Sequence, residues 1–200
     1  MLTIISIVIL ILSVIIHEVS HGYMADHLGD PTARLQGRLT LNPLKHIDPV
    51  GSIIVPLITS LAGFTFGWAR PVPYNPYNLK SRRQGEFLIA IVGPLSNLAL
   101  ALIFGLIIRF FYAGAMTPFM EILSYIILIN IILAVFNLIP VPPLDGSKLL
   151  LAFLPNQYSR ARVLLETYGP FLIIFVVFFL WQVISPVIWP IFRAFTGVDF

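Results

Sequence analysis

Three residues that could bind and activate a metal ion stand at the end of a strongly apolar run. They are His17, Glu18 and His21, in the stretch "HEVSH", and no charged side chain occurs between Leu2 and Ile16. Residues four apart lie on one face of a helix, so the two histidines could grip one ion. Glu18 would lie at the edge of that site, where it could take a proton from a water molecule. The pattern indicates hydrolytic metal chemistry within a segment suited to lipid.

The position of this cluster adds weight to a pattern that is short enough to occur by chance. An ionisable residue near the centre of a membrane helix costs at least about 2.5 to 3.5 kcal/mol. At about 1.5 Å per residue, His17 lies roughly 22 Å along the helix from Leu2, inside the hydrocarbon layer. An alternative is a polar helix end whose side chains only reach the membrane surface.

A catalytic zinc ion usually takes three protein ligands, and the sequence offers three candidates for the third. His27 lies in a polar loop and is expected to be solvated. His46, among turn residues, is a weaker candidate. The strongest is Asp145 in "NLIPVPPLDGSKLL", where three prolines must break regular helix and a carboxylate at the membrane end of a span needs a partner. The alternative is that Asp145 and Gly146 form a simple turn.

The composition identifies an integral membrane protein. Hydrophobic residues make up 58% of the 200 residues and charged residues 10%, with a mean hydropathy of +0.93, whereas soluble domains average about 25% charged. The net charge of +3 lies in loops between apolar runs, which favours membrane orientation rather than nucleic-acid binding. The absence of cysteine excludes disulfides, thiolate zinc ligands and thiol nucleophiles. The length indicates one domain over 1–200, and the first run is interpreted as a span rather than a signal peptide.

Four stretches approach the roughly 20 apolar residues that a membrane crossing requires. They are Leu2 to Met24, Phe87 to Tyr112, Ile122 to Ile139, and Tyr168 to Ile184, the last within a C-terminal span of about 168–185. The alternation in "RLQGRLTL" predicts a short strand or β-hairpin near Arg34 to Leu41. A further apolar segment, 50–67, is shorter and contains proline and glycine. The predicted fold is an all-α polytopic bundle of about four full transmembrane helices, one re-entrant or partly inserted segment (50–67) and a membrane-associated β-hairpin.

The distribution of basic residues and the number of membrane crossings both favour a segment 50–67 that enters the membrane and turns back. If it crosses fully, five basic residues lie on one side and seven on the other; if it returns, ten lie on one side and two on the other. The positive-inside rule therefore predicts re-entry, with both chain ends outside. One ion can join His21 and Asp145 only if an even number of crossings separates them, and re-entry leaves two.

With these motifs in this order, the chain resembles the site-2 protease family of intramembrane zinc metalloproteases. That family has H-E-x-x-H followed by N-x-x-P-x-x-x-L-D-G. The second motif and an intervening G-x-x-x-N element are matched here by Asn137, Pro140, Leu144, Asp145, Gly146, Gly93 and Asn97. The resemblance covers about 2–154 and is to compact members without PDZ or CBS domains.

The resemblance implies a set of roles. His17, His21 and Asp145 are expected to bind one Zn²⁺ ion, with Glu18 as the general base. Asn137, Asn97, Gly93 and Gly146 are expected to position the substrate or support the site, and the hairpin to hold an extended substrate. The implied partners are transmembrane segments of membrane protein substrates and the lipid bilayer, with no nucleic acid. The implied location is the cytoplasmic membrane, as a multi-pass protein whose active site lies toward the cytoplasm.

Two other classes use similar residues. A membrane metal-binding or transport protein would be expected to carry further ionisable residues along its spans, and these runs have almost none. An inactive substrate-binding homologue would have lost Glu18 or a ligand, and all four residues are present. No oligomeric state follows from the sequence.

Overall fold

The structure is a computed structural model that describes residues 2–55, 57–58, 69–112, 117–153 and 159–198. Within these ranges the regular elements are all helical. They are α1 (Leu2–His27), α2 (Thr32–Leu35), α3 (Arg82–Phe111), α4 (Pro118–Asn137), α5 (Asp145–Phe153) and α6 (Ser159–Thr196). Three short turns of other helix types connect them, at Pro43–Lys45, Pro49–Ile54 and Pro76–Asn78.

Three of the described helices are long and apolar enough to cross a membrane, at Ile4–His27, Arg82–Phe111 and Pro118–Asn137. Their outer faces carry large apolar side chains, such as Ile4 and Ile103, which are 69% and 56% exposed. Exposing so many large apolar side chains to water would be unfavourable, whereas contact with lipid is not. The protein is therefore a multi-pass membrane protein.

Helix α3 is the central element and packs against α1, α4, α5 and α6. The C-terminal half of α3 joins α4 and α6 in one apolar core, formed by Ala101, Ile108, Leu123, Ile127, Ile131, Ile184, Ile188 and Phe192. The N-terminal half of α3 packs on the C-terminal end of α1 through Ile89, Ala25 and Leu79. The bundle thus holds α1, α3 and α4 at fixed separations around the polar residues that they bury.

Helix α4 ends where prolines prevent regular helix from continuing. The helix stops at Asn137, and Pro140, Pro142 and Pro143 occupy the turns before Asp145 opens α5. Proline lacks a backbone N–H and its ring clashes with the preceding helical turn. The chain therefore reverses close to α3 instead of continuing outward, and Asp145 is buried with 6% exposure.

Three predicted spans are confirmed as helices, and the fourth, Tyr168 to Ile184, lies within α6, where its membrane crossing stays a prediction. The described residues contain no strand, so the predicted hairpin is not confirmed. Thr32–Leu35 form one helical turn instead, stabilised by the side chain of Asp30, which accepts hydrogen bonds from the N–H and hydroxyl of Thr32. Most of 50–67 lies outside the described residues.

Candidate metal centre

Side chains from α1 and α5 meet in a compact group of three possible metal ligands. Nε2 of His17 lies 3.0 Å from Oδ2 of Asp145, and Nε2 of His21 lies 3.0 Å from the same oxygen. The two Nε2 atoms are also 3.0 Å apart. All three side chains are buried. The predicted set of His17, His21 and Asp145 is thus brought together across 124 residues of chain.

The second nitrogen of each imidazole faces an oxygen that accepts hydrogen bonds. Nδ1 of His17 lies 2.6 Å from Oδ1 of Asn97, and Nδ1 of His21 lies 2.6 Å from the carbonyl oxygen of Ile89. Each Nδ1 therefore carries the proton and donates it. In a neutral imidazole this leaves the lone pair on Nε2, which is the form that binds metal.

The donor chemistry fits a metal ion. The two Nε2 atoms and Oδ2 of Asp145 all carry lone pairs that point toward one another. A single shared proton could join only two of these three atoms, whereas one divalent cation accepts a lone pair from each of them. Ligand atoms about 2.0 to 2.2 Å from one zinc ion lie roughly 3 to 4 Å from each other, and the three atoms here lie within 4.8 Å of one another. Two neutral imidazoles and one carboxylate leave a fourth position open, as in catalytic zinc sites.

Gly93 of α3 lies directly against the two imidazoles. A Cβ atom built at this position would lie 2.5 Å from Cε1 of His21 and 2.7 Å from Cε1 of His17. Real Cβ atoms do not approach so closely, and both rings are held by hydrogen bonds. Gly93 therefore provides the space that the two histidines occupy, which gives a structural reason for its place in the predicted set.

Gly146, at the start of α5, likewise allows a close approach that a side chain would block. A Cβ atom there would collide with backbone atoms of Leu138 and would lie 2.5 Å from the carbonyl oxygen of Ile139. The close approach of α5 to the end of α4 thus requires glycine. It sets the position of the neighbouring Asp145.

The two oxygens of Asp145 have different partners. Oδ2 faces the histidines, while Oδ1 lies 3.1 Å from the ammonium group of Lys148, one turn along α5. Burial lowers the pKa of Lys148, but the charge of Asp145 more than compensates, so the pKa of Lys148 is raised above its usual value. Lys148 therefore stays charged and holds the carboxylate with one oxygen turned to the histidines.

Glu18 lies beside the group, on the face of α1 that meets the loop before α3. Its Oε2 accepts a hydrogen bond from the backbone N–H of Val72 at 2.8 Å. The guanidinium group of Arg38 holds this loop by donating to the carbonyl oxygens of Arg70, at 2.8 Å, and Pro71, at 3.2 Å. The carboxylate is thus oriented by a backbone N–H of this loop.

The remaining candidates lie elsewhere. His46 is buried and its Nε2 lies 2.8 Å from the carbonyl oxygen of Thr40, which makes it a structural residue of its loop and not a member of the group. His27, the last residue of α1, is exposed as expected. Asn137 donates from Nδ2 to the carbonyl oxygen of Leu133 in its own helix, and its predicted role at the substrate stays a prediction.

Comparison with known proteins connects this geometry with a family. The model of Peptidase family M50 matches residues 113–181, which include Asp145. A Bacillus subtilis (strain 168) protein named "Putative zinc metalloprotease YwhC" is 40% identical over 195 residues, 94% of this chain and 85% of that protein. The chain belongs to peptidase family M50, the site-2 proteases.

Other relatives agree with this family membership. Rip2 of Mycolicibacterium smegmatis is 32% identical over 167 residues, which cover 83% of this protease and 63% of Rip2. Zinc metalloprotease MJ0392 of Methanocaldococcus jannaschii is 26% identical over 156 residues, 78% of this protease and 36% of that protein. No solved structure matches the chain.

The M50 protein is an intramembrane zinc metalloprotease, with zinc as its cofactor. The predicted family, enzyme class and cofactor are confirmed. A metal transporter is not favoured, since the family consists of peptidases. An inactive homologue is not favoured either, since Glu18 and the possible metal ligands His17, His21 and Asp145 are all present.

Four features of this protease were not predicted from its sequence. They are the carbonyl oxygen of Ile89, the N–H of Val72, the ammonium group of Lys148, and Asn130, which contacts Asn97 from α4. Backbone groups leave no trace in a sequence pattern. Asn130 does leave one, because it is a polar amide in the middle of the apolar helix α4, where an unpaired polar group is costly.

Proposed function

We propose that His17, His21 and Asp145 are the three protein ligands of the zinc ion and that Glu18 is the general base. The observation that carries this proposal is the convergence of two Nε2 atoms and one carboxylate oxygen, each 3.0 Å from the others. The chemistry that zinc supplies when bound is Lewis acidity, which makes water a nucleophile near neutral pH and polarises a carbonyl group.

In this proposal the chain's own residues orient and move a proton. The N–H of Val72 holds one oxygen of Glu18, so the other oxygen is available to accept a proton from water and later to deliver it to the departing amine. Asn97 and Ile89 keep both imidazoles in the form whose Nε2 is unprotonated. The buried surroundings limit the entry of water to the site.

The proposed substrates are transmembrane segments of other membrane proteins. A helical segment has its amides engaged in internal hydrogen bonds, so it must unwind locally before a peptide bond can be cut. The non-helical residues Arg70 to Val72, next to Glu18, are where an unwound strand would meet protein backbone.

The decisive experiment compares Glu18→Gln with wild type in lipid vesicles that contain a transmembrane peptide substrate. The glutamine oxygen can still accept the Val72 N–H, so the fold is retained while the base is lost. Cleavage is expected to fall about 10²- to 10⁴-fold with zinc content unchanged. The matched control is Glu121→Gln, in the exposed first turn of α4, which should cleave as wild type. Full activity of Glu18→Gln would overturn the proposed base.

We also place the active site toward the cytoplasmic side of the cytoplasmic membrane. Basic residues at the start of α3 lie at the same end as α5, where the guanidinium of Arg83 donates to the carbonyl oxygen of Ala152. This agrees with cytoplasmic retention of basic loops. The meeting of His21 with Asp145 supports a segment 50–67 that enters the membrane and returns, within one domain spanning 1–200.

Cysteine labelling tests this topology, because the sequence contains no cysteine. Leu44 and Tyr77 flank the segment 50–67 and are 75% and 82% exposed. A single cysteine at either position should react with a membrane-impermeant maleimide only from the cytoplasmic side of the membrane. Labelling of the two positions from opposite sides would show that 50–67 crosses the membrane completely.

A further inference from the structure

We propose that Asn130 of α4 is a positioning residue that keeps His17 in its metal-binding form, acting through Asn97. This inference rests on the proposed role of His17 as a ligand. It concerns a residue two helices away from the ion site, with no direct contact to any of the three ligands. The contacts that carry it run through three helices, from α4 through α3 to α1.

The chain of contacts begins at a backbone carbonyl. Nδ2 of Asn130 donates to the carbonyl oxygen of Ile126 at 2.9 Å and to Oγ of Ser13 at 2.9 Å. A carbonyl oxygen can only accept, so it identifies which end of the amide is the NH₂ group. Oδ1 of Asn130 therefore points away from Ile126 and toward α3.

The next contact transfers this orientation to Asn97. Its Nδ2 donates to Oδ1 of Asn130 at 2.8 Å and to the carbonyl oxygen of Ser13 at 3.3 Å. Both amide hydrogens are thereby used, and Oδ1 of Asn97 is left facing Nδ1 of His17 at 2.6 Å. Asn97 and Asn130 are both fully buried, so water does not compete for these groups.

The consequence of losing Asn130 follows from the symmetry of an amide. Without the acceptor at 2.8 Å, Asn97 Nδ2 keeps only the longer contact to Ser13, and the amide can rotate by half a turn. Its NH₂ group would then face Nδ1 of His17, which must give up its proton to accept. The proton would move to Nε2, where it occupies the lone pair that the metal requires.

A structural role alone does not account for this arrangement. Van der Waals packing between α3 and α4 would be served by an apolar residue at position 130, as at Ile127 and Ile131 on either side of it, both fully buried. An amide in this place makes three hydrogen bonds and selects one orientation of its neighbour. The geometry thus assigns Asn130 to the metal site and not only to the packing of the bundle.

The test is zinc affinity of the purified full-length protein, measured by competition with a chromophoric chelator. Asn130→Leu should bind zinc about tenfold more weakly, at the lower end of the effect of changing a group outside the ligand set. The visible spectrum of the Co²⁺-substituted protein should change as well. The control is Ser124→Ala on the same helix, where the buried hydroxyl only donates to Met120; it should bind zinc as wild type.

A second change separates positioning from packing. A carboxylate has no hydrogen to donate, so Asn97→Asp can only accept from Nδ1 of His17, whatever stands at position 130. The double variant Asn97→Asp with Asn130→Leu should therefore recover zinc affinity to within about threefold of wild type, a difference of less than 1 kcal/mol. If Asn130→Leu does not fold, Asn130→Ala is used in the same pair.

The inference is overturned if the single Asn130 variant binds zinc as wild type, or if the double variant stays as weak as the single one. His17→Ala distinguishes this failure from that of the proposed ligands. If His17→Ala abolishes zinc binding while the Asn130 variant has no effect, only the inference fails. If His17→Ala retains full affinity, the proposed ligand set fails.

Discussion

The carboxylate of Glu18 accepts a hydrogen bond from the backbone N–H of Val72, with oxygen and nitrogen 2.8 Å apart. Val72 is buried, and its loop is held by Arg38, which donates to the two preceding carbonyl oxygens. The proposed base is therefore oriented by a loop from outside its own helix. Glu18 and the loop should respond together to changes in Arg38.

Replacing Arg38 should reduce cleavage without removing zinc. Arg38→Leu leaves the carbonyl oxygens of Arg70 and Pro71 without their donor, so the loop shifts and Glu18 loses its orientation. Small displacements of catalytic groups cost up to about 10²-fold in rate, and a loss of about 10- to 100-fold is expected. The rate of peptide cleavage and the zinc content of the same preparation check this.

Arg34→Leu is the matched control for Arg38. The Arg34 side chain is 64% exposed and pairs with Asp26 at 3.3 Å, and exposed pairs contribute about 0 to 1 kcal/mol. It should cleave at the wild-type rate. Loss of zinc from Arg38→Leu would show that the loop supports the metal group and not Glu18.

Gly93→Ala should prevent tight zinc binding. The added methyl group would collide with both imidazoles, and displacing them separates the three donor atoms. Zinc affinity should fall about 10- to 100-fold or more, as for other groups that position metal ligands. The measurement is chelator competition on the purified protein.

Gly105→Ala serves as the control for Gly93. It lies on the same helix, and a Cβ atom there would approach Cβ of Phe195 to 2.7 Å, far from the metal group. Overpacking of this kind costs about 1 to 3 kcal/mol of stability, so this variant should melt at a lower temperature but bind zinc normally. Equal zinc loss in both variants would contradict a specific role for Gly93.

Gly146→Ala should weaken zinc binding through Asp145. The methyl group would meet backbone atoms at the end of α4, which cannot move aside as a flexible side chain can, so α5 must shift and carry Asp145 away from the histidines. The adjacent Ser147→Ala removes only a local hydrogen bond to Leu144 and should retain zinc. The ratio of bound zinc to protein distinguishes them, and retention of zinc by Gly146→Ala would show that α5 tolerates a side chain there.

Acid stability should depend on Asp30, which ties the α1–α2 turn to the loop before α3. Burial raises the pKa of Asp30, but hydrogen bonds from Thr32, Asn78 and Asn75 outweigh it and hold the pKa below its usual value of 3.8. Because the folded pKa is depressed, the stabilisation is complete above the usual value and is lost as pH falls through the folded one.

Thermal melting of wild type and Asp30→Asn across this pH range tests the assignment. Asp30→Asn should be less stable at neutral pH, and the difference from wild type should shrink as the pH falls below about 3.8. Glu121→Gln, an exposed control, should leave the pH dependence of melting unchanged. A constant difference between Asp30→Asn and wild type at every pH would exclude Asp30 as the titrating group.

Local sequence patterns were sufficient to predict two of the possible metal ligands, three of the helices and the break before Asp145. The H-E-x-x-H spacing places His17 and His21 on one face because helical periodicity is a local property. Apolar run length predicted the helices α1, α3 and α4, and the prolines before Asp145 predicted the break that starts α5. The hairpin near Arg34 to Leu41 was predicted from alternation, but among the described residues Thr32–Leu35 form a helical turn whose first residue donates two hydrogen bonds to Asp30.

Only the tertiary structure decided how the site is supported. Which oxygen faces each Nδ1 and which loop holds Glu18 depend on contacts between residues 54 to 80 positions apart, and on backbone atoms that every residue type shares. His46 lies apart from the metal group, with its Nε2 next to the carbonyl oxygen of Thr40. A pattern of residue types records which groups could meet. The packing of α1 against α3 and α4 selects which of them do, because the position of a buried polar group depends on all of its neighbours at once.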